Sequence, residues 1–168
     1  IRSLITEEEM NNERFIQNFV NKICPSGKFV CLIVRDAAYL SARSGKDWSY
    51  HNFRDSKIDS FINAAEKLAE MGYTVFRMGA VVEKPLASSH PNVIDYATNG
   101  MRTEFLDIYL GAHCTFCVSN SNGFDAVPRI FKRPLLICDE AIYFESSHLA
   151  LHTVHYPKII REQSNESQ

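Results

Sequence analysis

The chain has 168 residues, of which 45% are hydrophobic and 23% charged, the composition of one folded domain and not of a disordered chain. Its 18 Lys and Arg residues stand against 20 Asp and Glu residues, and the resulting net charge of -2 argues against a domain built to hold nucleic acid. No apolar run approaches the ~20 residues that a membrane span needs.

A helix is predicted at the start of the chain. Apolar residues recur at helical spacing over 7–23, Thr6 is a suitable N-terminal cap, and the sequence CPSG at 24–27 stops the helix. Residues 1–27 are therefore expected to be an N-terminal helix and linker. Because the first residue is Ile1 and not Met, we expect this chain to be part of a longer protein.

Buried strands then alternate with helices. The strands are predicted at 29–34, 73–77, 114–118 and 135–138, with a short extended piece at 93–94, and the helices at 57–71, at 104–110 and in a segment ending near Phe131. Continuous β-prone runs of this kind are typical of strands buried on both faces. The alternation predicts a single α/β domain, with a Rossmann-like doubly wound parallel sheet, over residues 28–160 and a frayed tail at 161–168.

Two of these helices have clear boundaries in the sequence. Ser56 is the predicted N-terminal cap of helix 57–71, and Gly72 is its C-terminal stop. Helix 104–110 is predicted to begin after Thr103 and to end at Gly111.

Ligands of such sheets bind outside the carboxyl ends of the strands. The residues there are Arg35 and Asp36 after the first strand, Arg77 at the end of the second strand and Gly79 just after it, and the turn Ser119, Asn120, Ser121, Asn122 and Gly123 after the strand at 114–118. Arginine matches phosphate oxygens two at a time, and a turn of small residues lets backbone N–H groups approach an anion. The pattern predicts a diphosphate site. Two alternatives to a phosphate site stay open. The strand-end arginines could only form ion pairs with nearby acidic residues, and the 119–123 sequence could form an ordinary turn, since Ser, Asn and Gly are common turn residues.

The segment 35–56 is too long for a simple strand-to-helix connection, which usually takes about 2–6 residues. It is polar and aromatic, containing Tyr39, Trp48, Tyr50, His51, Asn52 and Arg54. Loops of this length are often lids or substrate contacts. Asp36 and His51 are the candidate catalytic residues for proton transfer, and the alternative is a loop that Trp48 merely pins to the surface.

No metal site is predicted. The five cysteines lie mostly in apolar runs, so we expect reduced, buried thiols. Cys114 and Cys117 form a CxxC pair, but residues three apart on a strand point to opposite faces and could not share an ion. The sequence contains neither a P-loop nor a GxGxxG after the first strand, so no redox cofactor is expected.

Most of the chain, from about residue 28 to residue 140, resembles a bacterial family of glycosyltransferases found with surface-polysaccharide genes. The matching pieces are Val34-Arg35-Asp36, the segment 50–56 with Ile58, Arg77-Met78-Gly79, Ile94-Asp95-Tyr96-Ala97, Asp107-Ile108 with Leu110, Ala112 and Cys114, and the 119–123 turn with Val127-Pro128, Phe131 and Pro134. More distantly, an arginine after one strand and a serine-rich turn after another resemble the fucosyltransferase pattern.

The resemblance implies the C-terminal, donor-binding half of a GT-B architecture, in which two Rossmann-like domains face each other. It implies a nucleotide-sugar donor, no metal or other cofactor, a glycan or lipid-linked acceptor, and an N-terminal domain of the same protein as partner. If the site residues of this family are placed on the matching positions of this sequence, Arg35 and the 121–123 turn would hold the diphosphate, and Asp95 and Tyr96 would lie near the base or ribose. The protein would be cytoplasmic, or peripheral at the inner membrane.

The turn departs from the family pattern, because Ser119-Asn120 stands where Gly-Thr is expected and Asn122 where serine is common. Both departures keep small polar groups, so phosphate binding is still expected. Two other functions stay open on the sequence. One is a nucleotide-sugar hydrolase or epimerase of similar fold, and the other is a non-enzymatic nucleotide-binding or interaction domain.

Overall fold

Within residues 13–43, 47–140 and 152–159, which the computed structural model describes, six strands form one sheet with every neighbouring pair parallel. The strands are β1 (Phe29–Ile33), β2 (Thr74–Met78), β3 (Val93–Ile94), β4 (Phe116–Ser119), β5 (Leu135–Glu140) and β6 (Thr153–Pro157). Their order is β3-β2-β1-β4-β5-β6, the order of a doubly wound Rossmann-like fold. The predicted fold class is confirmed, and β6 is an additional strand that the sequence did not reveal.

β1 and β4 lie side by side at the centre of the sheet. Val30 pairs with Phe116 and Ile33 with Ser119, so both strands end at the same level. After β1, the chain adds β2 and β3 on one side of that strand. It then crosses back and adds β4, β5 and β6 on the other side. The strand order therefore reverses between β1 and β4, and such a reversal opens a crevice at the carboxyl edge of a sheet.

Helices cover both faces of the sheet. They are α1 (Glu13–Ile23), α2 (Ala38–Arg43), α3 (Ile62–Glu70), α4 (Glu104–His113) and α5 (Ala126–Ile130). Ile16 of α1 and Leu106 of α4 pack with Phe76 in one buried cluster, whereas Ala65 of α3 packs with Val30 in the other. None of the helices in the described part of the chain has the length and apolar character that crossing a bilayer requires.

The predicted helix boundaries are correct in part. Gly72 follows α3 with a φ of 90°, as a glycine stop should, but Ser56 is not the cap. The predicted first turn is a 3-10 turn, Ile58–Phe61, and the hydroxyl of Ser56 donates to Oδ2 of Asp139 at 2.9 Å. Ser56 therefore bonds to a residue distant in sequence and does not cap the helix as its position had suggested.

Thr103 does cap α4, because its hydroxyl accepts the Leu106 N–H at 3.1 Å. The prediction that Gly111 ends this helix is wrong, since α4 continues to His113. The predicted start of the first helix after Thr6 lies outside the described residues.

Gly111 is required by packing between helices. A Cβ placed there would lie 2.7 Å from Cγ1 of Val127 and 3.0 Å from Cζ of Phe124. We expect Gly111→Ala to lower the free energy of unfolding by about 1–3 kcal/mol through overpacking. Urea denaturation measures this, with Gly123→Ala as control, because a Cβ at Gly123 meets nothing within 4 Å. Equal midpoints for the two variants would contradict it.

The five cysteines are free, and Cys31, Cys114 and Cys117 lie in one buried cluster. The orientation argument for the CxxC pair is therefore wrong, because β4 begins only at Phe116 and Cys114 lies at the end of α4. Burial raises the pKa of Cys31, which also shares a hydrogen bond with Cys114. The thiol of Cys117 has a raised pKa for the same reason of burial.

We expect all five thiols to react slowly in the folded protein, because four are buried and burial raises the pKa values of Cys31, Cys117 and Cys138. The hydrogen bond with Cys31 lowers the pKa of Cys114, so the slow reaction of that thiol rests on its burial. Titration of the denatured, unreduced protein with a thiol reagent should count five. A count of three would reveal a disulfide.

Candidate functional site

A cleft of about 520 Å³ opens at the carboxyl edge of the sheet, where the strand order reverses between β1 and β4. Five parts of the chain form its walls: residues 33–36 with Tyr39 and Leu40, Arg54, the loop 78–82 at the end of β2, the pair Arg102 and Asp107 around the start of α4, and the turn 121–124 after β4. The cleft therefore occupies the position at which open α/β sheets bind their ligands.

Three arginines from separate segments line this cleft. Nε of Arg35 lies 2.9 Å from Oδ1 of Asp55, and Nη2 of Arg54 donates to the Ser121 carbonyl at 3.3 Å. A guanidinium has five N–H donors, so each keeps donors for a ligand. Among the described residues of the wall, the three guanidinium groups exceed the two carboxylates, and the cleft favours an anion.

Arg102 is the third arginine of the cleft. Its Nη2 lies 2.7 Å from Oδ2 of Asp107, and its buried Nε has no hydrogen-bond partner in the described part of the structure. Asp107 also accepts from the hydroxyl of Tyr96 at 3.0 Å. Burial raises the pKa of Asp107 above its ordinary value, despite the nearby Arg102 cation.

Asp36 lines the cleft, but backbone N–H groups engage both of its carboxylate oxygens. Oδ1 accepts from Ala38 at 3.0 Å and Oδ2 from Glu83 at 2.9 Å. The side chain thus ties the loop after β2 to the start of α2. This geometry gives Asp36 a positioning role in the cleft wall.

The predicted turn 119–123, whose first residue is the last residue of β4, divides into a buried half and a half that faces the cleft. Ser119 and Asn120 are buried, and Oδ1 of Asn120 accepts the Arg35 N–H at 2.7 Å. The Asn120 amide also donates to the carbonyls of Arg35 and Arg54, at 3.4 and 3.3 Å. Asn120 therefore fixes the backbone of two arginines of the cleft without itself lining it.

Ser121, Asn122 and Gly123 form the half that faces the cleft. Ser121 has a φ of 65°, a left-handed conformation that bends the chain away from β4. The Asn122 side chain accepts the Phe124 N–H at 3.0 Å, and Asp125 accepts the Asn122 N–H at 3.0 Å, which closes a capping box. The turn is thus held rigid by its own side chains and leaves open space at Gly123.

Gly79 lines the cleft, whereas Arg77 does not. Gly79 has a φ of 154°, and a Cβ there would lie 2.5 Å from Cγ1 of Val82, so the close bend of this wall needs glycine. Arg77 is fully buried, with Nη1 at 3.2 Å from Oδ1 of Asp95. Asp95 further accepts the Leu86 N–H at 3.0 Å, and these contacts hold the loop against the sheet.

Tyr96 and His51 also lie outside the cleft walls. Tyr96 is fully buried and is joined to the cleft wall by its hydrogen bond to Asp107. His51 belongs to a 3-10 turn, Ser49–Arg54, in which its ring lies 4.1 Å from that of Tyr50 and 5.8 Å from that of Trp48. The structure thus gathers Arg35, Asp36, Gly79 and the 121–123 half of the turn at the cleft. Ser119 and Asn120 lie directly behind this wall and bond to it, whereas the other candidates, which are Arg77, Asp95, Tyr96 and His51, do not line the cleft.

Arg54, Arg102 and Asp107 are cleft residues that were not predicted as site residues, although Arg54 lies in the predicted 35–56 loop and Asp107 in one of the pieces that resemble the glycosyltransferase family. Arg102 immediately precedes Thr103, the cap of α4, in the segment that follows β3. The rule about strand ends did not point to Arg102, because the loop 95–101 separates it from the end of β3. No family model, curated protein or solved structure matches this chain.

Proposed function

We propose that the cleft holds the diphosphate of a nucleotide sugar, and that the chain is the donor-binding domain of a metal-independent glycosyltransferase of the GT-B type. The observation that carries this proposal is the meeting of Arg35, Arg54 and Arg102 around the open 121–123 turn, at the strand reversal of a Rossmann-like sheet. This fold is compatible with nucleotide binding. That the nucleotide carries a sugar is inferred from the resemblance to surface-polysaccharide glycosyltransferases.

In such a transfer, negative charge grows on the oxygen that bridges the sugar and the phosphate as the glycosidic bond breaks. Guanidinium N–H donors fixed beforehand at that position stabilise the charge without reorganisation. Arg35 is fixed in this way by Asp55 and by the Asn120 clamp on its backbone. Asp36 and Asp107 are the carboxylates that reach the cleft, and Asp107, with its raised pKa, suits proton transfer better.

A nucleotide screen tests the proposal. UDP, GDP, CDP and dTDP are added in turn while the melting temperature is followed, with inorganic phosphate as control. A ligand at 100 times its dissociation constant stabilises a protein by about 2.7 kcal/mol, so a true nucleotide produces a clear shift. If none of the four raises the melting temperature, the proposed function is wrong.

We expect nucleotide binding to survive EDTA. Among the described residues, no group of three or more His, Cys, Asp or Glu side chains could hold a metal ion, and the arginines already supply positive charge to the cleft. Calorimetric titrations with and without the chelator should give equal dissociation constants. A large loss of affinity in EDTA would show that a cation bridges the protein and the phosphates.

The proposal also predicts binding without transfer, because a GT-B active site is shared between two domains and residues 28–160 would form one of them. Incubated with a nucleotide sugar and glycan acceptors, the chain should yield no glycosylated product. Release of free sugar without an acceptor would favour a hydrolase, and glycosyl transfer by these 168 residues would disprove the two-domain architecture.

A further inference from the structure

A second pocket, of about 230 Å³, lies beside the cleft. One wall is formed by α2 and the other by residues between 47 and 55. The described lining residues include Leu40, Ser41, Asp47, Trp48, Asn52 and Asp55. Leu40 lines both the pocket and the cleft. A molecule in this pocket would therefore be an immediate neighbour of a molecule in the cleft.

The pocket is not built for an anion. Its described lining residues include two aspartates and no lysine, arginine or histidine, which is the opposite of the cleft. A backbone hydrogen bond from Ser49 to Oδ1 of Asp47, at 2.8 Å, lowers the pKa of that carboxyl. Asp47 is therefore an acceptor at neutral pH, and the described lining offers no cationic side chain to a phosphate.

Its polar groups suit a ligand rich in hydroxyls. Carboxylates accept from hydroxyl groups, whereas the Asn52 amide both donates and accepts. Asn52 is exposed, so its amide is accessible to a ligand in the pocket. Trp48 adds an aromatic ring, and apolar C–H faces of a sugar ring pack on such surfaces while the hydroxyls point to polar groups.

Asp55 joins the pocket to the cleft. Its Oδ1 accepts from Nε of Arg35, and its backbone carbonyl accepts from Nζ of Lys158 at 2.9 Å. The carboxylate that lines the pocket is thus in direct contact with an arginine that lines the cleft. A hydroxyl bound beside Asp55 would stand next to the group that we propose holds the diphosphate.

We infer that this pocket is a saccharide subsite, which holds one neutral sugar ring of the acceptor next to the nucleotide cleft. The inference rests on the proposed function, because a sugar-transferring site must bring an acceptor hydroxyl close to the donor. Its chemistry is separate from that of the cleft, and so the two sites are tested independently.

Trp48 makes the test direct, because it is the only tryptophan of the chain. Its fluorescence is followed while methyl glycosides of glucose, galactose, mannose, N-acetylglucosamine and rhamnose are added, with and without a saturating nucleotide. We expect a saturable change with at least one of them. Asn52→Ala should weaken that response by roughly fivefold, as expected for one lost hydrogen bond. Asn63→Ala is the matched control on the exposed side of α3 and should leave the response unchanged.

The outcomes separate the two proposals. Nucleotide binding without any glycoside response overturns the saccharide subsite and leaves the proposed function standing. A glycoside response that is equal in Asn52→Ala and the wild type also overturns the subsite. A nucleotide that itself changes Trp48 fluorescence, with an effect lost in Asn52→Ala, would place the nucleotide in this pocket and overturn the assignment. A glycoside response without nucleotide binding would support the subsite and contradict the proposed function.

Discussion

Replacing Asp95 by Asn is expected to lower the free energy of unfolding by about 3–5 kcal/mol, because it leaves a buried arginine without its counter-charge. Arg77 is fully buried, and Asp95 is its ion-pair partner in the described structure, while Nε and Nη2 have no hydrogen-bond partner there. Domains of this size are stable by about 5–15 kcal/mol. The variant should therefore denature at a much lower urea concentration, as followed by circular dichroism.

Glu70→Gln is the matched control, since it makes the same chemical change in an exposed ion pair. Lys67 and Glu70 have side chains that are 73% and 58% exposed, and such pairs contribute ~0–1 kcal/mol. Arg77→Met combined with Asp95→Asn should recover most of the loss, because it removes the stranded charge. Equal urea midpoints for Asp95→Asn and Glu70→Gln would show that the buried ion pair contributes no more to the free energy of unfolding than the exposed one.

The central part of the fold could be predicted because its strands are continuous apolar runs. Phe29–Ile33 and Thr74–Met78 are buried almost throughout, so the sequence itself marks them as interior strands of a parallel sheet. Thr153–Pro157 lies at the edge of the sheet and is mostly exposed or half-exposed. It carries no such run, and its pairing with β5 depends on chain geometry that the sequence does not display.

The candidate site was only partly predictable because position at a strand end does not fix side-chain direction. Arg77 is still inside β2, where alternate side chains point to opposite faces, and its own points into a buried layer and not toward the cleft. Asn120 follows β4, yet it uses its amide to clamp the backbone of Arg35. Both residues were correctly placed along the chain, but their contacts come from segments distant in sequence.

The cleft residues that sequence reasoning missed have the same explanation. Arg102 and Asp107 reach the cleft because α4 begins beside the carboxyl ends of β1 and β4. That neighbourhood follows from the crossover between β3 and β4. The α/β alternation predicts that such a crossover exists, whereas its exact path depends on the loop that Arg77 and Asp95 hold in place.

Nucleotide affinity is expected to fall at least tenfold in Gly123→Val, equivalent to about 1.4 kcal/mol, without loss of folding. A Cβ at Gly123 meets nothing within 4 Å, so the valine fits the empty protein and collides only with a ligand that approaches the turn. Arg35→Lys should weaken binding less than Arg35→Ala, because it keeps the charge and loses the planar fork. Affinity should also decline as salt concentration rises, since the contact is between charges.

Calorimetric titration of each variant measures these effects, and circular dichroism checks that each is folded. Ala126→Val is the control for Gly123→Val, because it adds bulk three residues further on, at an exposed position that does not line the cleft. Arg35→Ala also removes the partner of Asp55, so Arg35→Ala with Asp55→Ala separates loss of the ligand contact from an unpaired carboxylate. If the wild type binds a nucleotide, and Gly123→Val and both Arg35 variants bind it equally well, the phosphates lie elsewhere, because each of these changes alters the wall against which they would rest.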